Sequence, residues 1–151
     1  MSPPSISALE ARQIDAAVGL FEAQLREHGI ATDAQRLHAV AQNVVTDPRY
    51  GFVLVATTDD GRAVGVAYAS TILTLEHGGV SGWLEELYVL PEWRGRGLGS
   101  RLLDAVIDRA RLLGWRALDL EVDQHHQRVI PLYRRHGFQP HTRTRFYRLL
   151  A

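Results

Sequence analysis

The chain has 151 residues, of which 46% are hydrophobic and 23% charged, proportions of an ordinary globular domain and not of a disordered scaffold. Seventeen basic residues balance 17 acidic ones, so the net positive charge of a general nucleic-acid binder is missing. There is no cysteine, which removes disulfides, thiolate metal sites and a cysteine nucleophile. Every basic residue is arginine, which also removes the lysine of a Walker A loop and of a Schiff-base enzyme.

The start, MSPPSISALEARQ, has neither the basic flank nor the apolar run of a signal peptide. No segment approaches the roughly 18 apolar residues of a spanning helix, so a cytoplasmic chain without a membrane partner is expected. Ile14, Val18, Phe21 and Leu25 recur at helical spacing before Gly29, predicting an amphipathic helix over 10–28. A second helix is predicted from Asp33 to about Val45, stopped by Asp47-Pro48. GFVLVATT (51–58), the turn Asp59-Asp60-Gly61 and RAVGVAYASTILT read as a β-hairpin. A loop is expected from Glu76 to Gly82, then a strand over 83–90, WLEELYVL, ended by Pro91. Leu98, Leu102, Leu103, Val106, Ile107 and Ala110 form a helical stripe that stops at Gly114. RALDLEV (116–122) alternates like a strand, a short helix follows from about Gln127 to Arg135, and FQPHTRTRFYRLL predicts one or two closing antiparallel strands. This order describes a single-domain α/β fold with a mixed α+β sheet over 1–151.

The neutral total hides a division. Residues 1–90 carry 5 arginines and 11 acids, for −6; residues 91–151 carry 12 arginines and 6 acids, for +6. Such a division fits an anionic ligand on the second half, or solvated faces interleaved by folding.

The most informative stretch is LYVLPEWRGRGLGSRLL, residues 87–103, in which a strand, a glycine-rich turn and a long helix follow one another. Gly95, Gly97 and Gly99 allow close approach to the backbone, and the first helical turn leaves N–H groups free for an anion. Arg94 and Arg96 add charge beside it. A dinucleotide fingerprint would need glycine where Ser100 stands. The pattern R/Q-x-x-G-x-G/A fits at Arg94, Gly97 and Gly99.

A strand, a proline and this motif opening a helix resemble the central signature of the GNAT superfamily of acyl-CoA N-acetyltransferases. LEVDQHHQRVIPLYRRHGF resembles the family's later strand, short helix and terminal "LY…GF" segment, and the two matches together cover about residues 51–140. The resemblance implies a splayed central sheet flanked by helices, with acetyl-CoA as acetyl donor and no metal. It places the pantetheine arm along Leu87, Tyr88 and Val89, with the Val89 N–H near the thioester carbonyl, where it would stabilise the oxyanion. The pyrophosphate would be received by the segment Arg94, Gly95, Arg96, Gly97, Leu98, Gly99 and Ser100. His126 stands where many relatives have an asparagine contacting the arm. His125 and His126 as adjacent residues diverge and lack obvious partners for a metal.

Tyr133 falls on the tyrosine of the family's "LY" pair, which protonates the leaving thiolate; a phenol is protonated at neutral pH and suits that task. An alkylammonium must lose its proton before it can attack, at a cost of about 4 kcal/mol at neutral pH. Glu85, Glu86 and Glu121 are the candidate bases, with Glu85 first. Strand parity sends Glu85 and Glu86 to opposite faces unless a bulge intervenes. The expected activity is direct acetyl transfer from acetyl-CoA to a primary amine of a small molecule or peptide. The alternative is a CoA-binding regulatory or sensing module with little turnover. A homodimer is an expected assembly, and no nucleic-acid partner is expected.

Overall fold

Strand β2 (Gly51–Thr57) is buried along nearly its whole length because it feeds two cores at once. Phe52, Leu54 and Ala56 enter one, and Val53 and Val55 the other, the period-2 consequence of a pleated strand covered on both faces. In the computed structural model, which describes residues 2–151, this strand lies within a five-stranded sheet of order β1-β2-β3-β4-β5. Strands β1 (Ser5–Ala8), β2, β3 (Ala63–Thr74) and β4 (Gly79–Val89) are successively antiparallel, and β5 (Leu118–Asp119) runs parallel to β4. Helices α1 (Ile14–Glu27) and α2 (Ala34–Thr46) cover one face, contributing Ile14, Val18, Phe21 and Val44 to its core. Helix α3 (Leu98–Leu112) covers the other, with Leu102, Leu103 and Val106 fully buried. The short α4 (Ile130–Arg135) packs Leu132 and Tyr133 against that second core.

Local signals set most boundaries. The Asp33 carboxylate accepts from the Gln35 N–H and starts α2. The Asp47 carboxylate accepts from the Arg49 N–H and turns the chain into a 3-10 segment before β2. The expected first helix begins as a 3-10 turn over Ala11–Gln13 before α1 proper. The expected 76–82 loop is shorter, because Gly79 already pairs with Thr74.

Larger differences lie after α3. The strand expected over 116–122 is reduced to Leu118–Asp119, since β5 meets β4 only at Gly82↔Leu118 and Trp83↔Asp119. Gly82 is required there: a Cβ would lie 2.0 Å from the Trp115 ring. The helix expected over 127–135 is a 3-10 segment, Gln124–Val129, kinked at His126, followed by α4. Residues 139–151 form no strand. A closing strand needs an edge to pair with, and a two-residue β5 offers little. Side chains hold the tail instead: Arg143 pairs with Glu76 at 2.6 Å, and Arg145 with Glu121.

One irregularity shapes the site. Opposite β3, Tyr68 faces Glu86 and Ala69 faces Leu84, so Glu85 is an extra residue in β4. A bulge of this kind shifts side-chain parity by one. Leu84 joins the core beneath α3, while Glu85 and Glu86 both reach the pocket beneath α1 and α2.

Candidate active site

The first component is open main chain. β4 continues to Val89, but its parallel partner stops at Asp119, so from Leu84 onward β4 has no ladder to β5. Backbone N–H and C=O groups left this way are ready to pair with an extended ligand that joins the sheet. Tyr88 is buried towards α1, whereas Leu87 and Val89 turn towards the core under α3.

The second component is the loop that follows. Gly95 and Gly97 have φ of 77° and 79°, a left-handed conformation that costs other residues roughly 1–2 kcal/mol. Gly97 is the N-cap of α3 and makes no side-chain cap. The Arg101 N–H bonds the Gly97 carbonyl at 3.1 Å, so the Leu98, Gly99 and Ser100 N–H groups precede the first intrahelical bond and point out of the helix end. With the helix dipole they form an anion cradle. Leu98 itself is buried.

The arginines divide their roles. Arg94 turns inward: its Nε donates to the Val89 carbonyl at 2.9 Å, its guanidinium pairs with Glu27 at 3.1 Å and lies over the Tyr88 ring. It clamps the loop to β4 and to the end of α1. Arg96 stacks on Trp93, 4.8 Å from the ring centroid, and carries its charge beside the cradle. The Ser100 hydroxyl lies 3.1 Å from His136 Nε2, while His136 Nδ1 donates to the Leu132 carbonyl. That pair ties the start of α3 to α4.

The third component is a pocket of about 170 Å³ between α1, α2 and the sheet. Phe21, Leu25, Leu37, Val44 and Val53 make it apolar, and Tyr68, Glu85 and Glu86 supply its polar wall. Burial, then the neighbouring Glu85 charge, raises the Glu86 carboxyl to about 7, against the opposing effect of the Gln24 amide. Burial, and next the Glu86 charge, pushes the Tyr133 phenol up to about 12. Tyr133 therefore stays protonated at neutral pH, within electrostatic reach of a carboxyl that titrates there. Its ring packs edge-on against Phe138 at 5.8 Å.

The structure thus places Glu85 and Glu86 on the wall of the pocket, whereas Tyr133 packs against the core beneath α3, where the Glu86 charge still influences it. Glu121 is turned elsewhere, paired with Arg145, whose guanidinium lies over Trp83. His126 stacks beside His28, with ring centroids 4.2 Å apart. Sequence reasoning passed over Gln24, Tyr68 and His28. Gln24 and His28 continue the Phe21 stripe of α1 at helical spacing, and a polar residue in a buried stripe is the signal available for such groups.

A sheet whose last strand leaves β4 open beside a glycine–arginine loop at a helix N-terminus is the arrangement implied by the resemblance to acyl-CoA N-acetyltransferases. Residues 17–138 match the Acetyltransferase (GNAT) family, and the chain belongs to that family. It is 30% identical to the IAA acetyltransferase of Azospirillum brasilense over 124 residues, 82% of this chain and 77% of that one. It is 40% identical to the mycothiol acetyltransferase of Propionibacterium freudenreichii subsp. shermanii over 86 residues, 57% of this chain but only 27% of the relative. The chain therefore spans little more than a quarter of that relative's length. The fold superimposes on an aminoglycoside N-acetyltransferase solved in complex with CoA, with a TM-score of 0.84, 21% identity and coverage of 100% and 98% of the two chains.

Proposed function

We propose that this chain is an acetyl-CoA-dependent N-acetyltransferase acting on a small primary amine with an apolar body, and that Glu86 is its base and Tyr133 its acid. The observation that carries the reading is the open main chain of β4, which runs between the glycine loop that starts α3 and a pocket walled by Glu85 and Glu86. The acyl-CoA supplies an activated acetyl group. The residues fit it: the glycine loop offers outward N–H groups to its phosphates, and β4 beyond Trp83 offers its arm an edge that β5 does not cover.

Within the chain, Glu86 takes a proton from the acceptor ammonium, directly or through a water, and its value near 7 suits that exchange at neutral pH. Tyr133 holds a proton to donate to a departing thiolate. Glu85, exposed on the bulge, adds a second acidic side chain to the pocket wall and favours a cationic acceptor. A closed apolar space of about 150 Å³ accommodates a benzene ring, so a pocket of about 170 Å³ suits one ring or a branched aliphatic group. Glu121, held by Arg145, has no part in this scheme.

The reading extends to one acetyltransferase domain built round the single sheet, in the cytoplasm where its thioester donor is made, with no nucleic-acid or membrane partner required. Among the described residues no helix is long and apolar enough to cross a membrane. A homodimer belongs to the same proposal. It is supported by Phe146, Tyr147, Leu149 and Leu150, which lie 79% to 93% exposed on a tail without strand partners. Release of free CoA thiol is the test, across amines with aromatic or branched bodies, polyamines, amino acids and peptides. Turnover concentrated in the first group is the expected result. Acetyl-CoA binding without thiol release from any of them would instead identify a CoA-binding module.

A further inference from the structure

His28 ends α1, and Asp123 and His126 open the segment between β5 and α4, 95 or more positions further along the chain. Folding brings one donor atom from each within 4.8 Å of the other two. His28 Nδ1 and Asp123 Oδ2 are 3.3 Å apart. Two ligands of a tetrahedral ion, each bound at about 2.0–2.1 Å, stand roughly 3.3–3.4 Å from one another. The first two groups already have that spacing.

The third group is a histidine with an unused nitrogen. His126 Nδ1 is sealed from solvent and has no hydrogen-bond partner, an unfavourable condition for a buried polar atom. The surrounding chain also orients the carboxylate and this histidine. Asp123 Oδ1 accepts from the His125 N–H at 2.9 Å, which leaves Oδ2 for the cluster. The His126 N–H donates to the Asp123 carbonyl at 2.9 Å. The His126 backbone, at φ −123° and ψ 31°, leaves the 3-10 helix and carries the ring towards His28. Such outer contacts hold metal ligands in place before an ion arrives. His28 follows the carboxyl end of a 14-residue helix, where the dipole favours a cation.

From this arrangement we infer a divalent transition-metal site formed by His28, Asp123 and His126, suited to Zn²⁺ and its close analogues Co²⁺ and Ni²⁺, with a fourth position left for water or an added ligand. Two imidazoles and one carboxylate suit borderline ions and not Mg²⁺ or Ca²⁺, which prefer all-oxygen shells. Adjacent histidines do diverge, as the sequence predicts; the partner of His126 is His28 from α1, not His125. An ion here would fasten the end of α1 to the β5–α4 connection.

The test uses tag-free, metal-stripped full chain titrated with Co²⁺, followed by its visible absorption, with Zn²⁺ as competitor and a thermal melt at each stage. One equivalent of Co²⁺ giving intense tetrahedral-type bands, displaced by Zn²⁺ and accompanied by a higher Tm, is the expected result. His126→Asn and His28→Gln, each checked for native circular dichroism, should bind about tenfold or more weakly and lose the Tm rise. The remaining histidines serve as the internal control. Equal binding by wild type and both folded variants would assign the metal to those other histidines and overturn the site, as would no stoichiometric binding by wild type.

Discussion

Replacing Glu86 by glutamine tests the electrostatics of the pocket independently of any substrate. In the folded protein this carboxyl holds its proton up to about pH 7, because burial and the Glu85 charge disfavour the anion. In the unfolded chain it releases the proton near its ordinary value of 4.5. Between those limits the folded state binds more protons, so Glu86 makes stability fall as pH rises. Each pKa unit corresponds to about 1.4 kcal/mol, and the interval amounts to about 3 kcal/mol. Glutamine has nearly the shape of protonated glutamate and never ionises. The variant should match wild type near pH 4 and exceed it by about 3 kcal/mol at pH 8. Urea denaturation followed by tryptophan fluorescence across that range measures the difference, and subtraction removes carboxylates common to both proteins. The largest change should fall between pH 4.5 and 7. A wild-type-to-variant difference that stays flat within about 0.5 kcal/mol would refute the reasoning, since Glu86 would then not be a buried carboxyl with a raised pKa.

Two further predictions concern the chemistry and the loop. Tyr133→Phe should lower kcat by about 10²-fold or more while acetyl-CoA affinity measured by calorimetry changes little; unchanged turnover would remove Tyr133 from proton transfer. Gly97→Ala should cost about 1–2 kcal/mol of stability and weaken CoA binding, because a Cβ there meets no atom within 4 Å and the penalty lies wholly in the left-handed backbone. Gly99→Ala, whose Cβ would stand 4.0 Å from Val89 at an ordinary φ, is the control and should be much milder in the same denaturation and titration experiments.

Much of the turn between β4 and α3 was legible before folding was considered. Pro91, Arg94, Gly97 and Gly99 act over a few residues, through turn geometry and the start of one helix, and local chemistry of that kind is written in order along the chain. Hydrophobic spacing located α1 and α3, and the Asp47-Pro48 stop the end of α2, for the same reason. The closing strands expected over FQPHTRTRFYRLL are absent because a strand needs an edge to pair with, and β5 is too short to provide one. The contacts of Arg94 with Val89 and Glu27 join segments remote in the chain and were not legible in the motif.

By itself the sequence determined the order of the elements, the glycine cradle and the excess of arginine after Pro91, since each depends on neighbours in the chain. Three things belonged to tertiary structure. The bulge that turns Glu85 and Glu86 to one side exists only as a mismatch of register against β3. Glu121 lies outside the pocket lining and pairs with an arginine 24 positions away. The meeting of His28 with Asp123 and His126 requires α1 to be laid against the β5–α4 segment. Register, burial and contacts between remote segments are properties of packed surfaces, and no local pattern encodes which carboxyl will be desolvated.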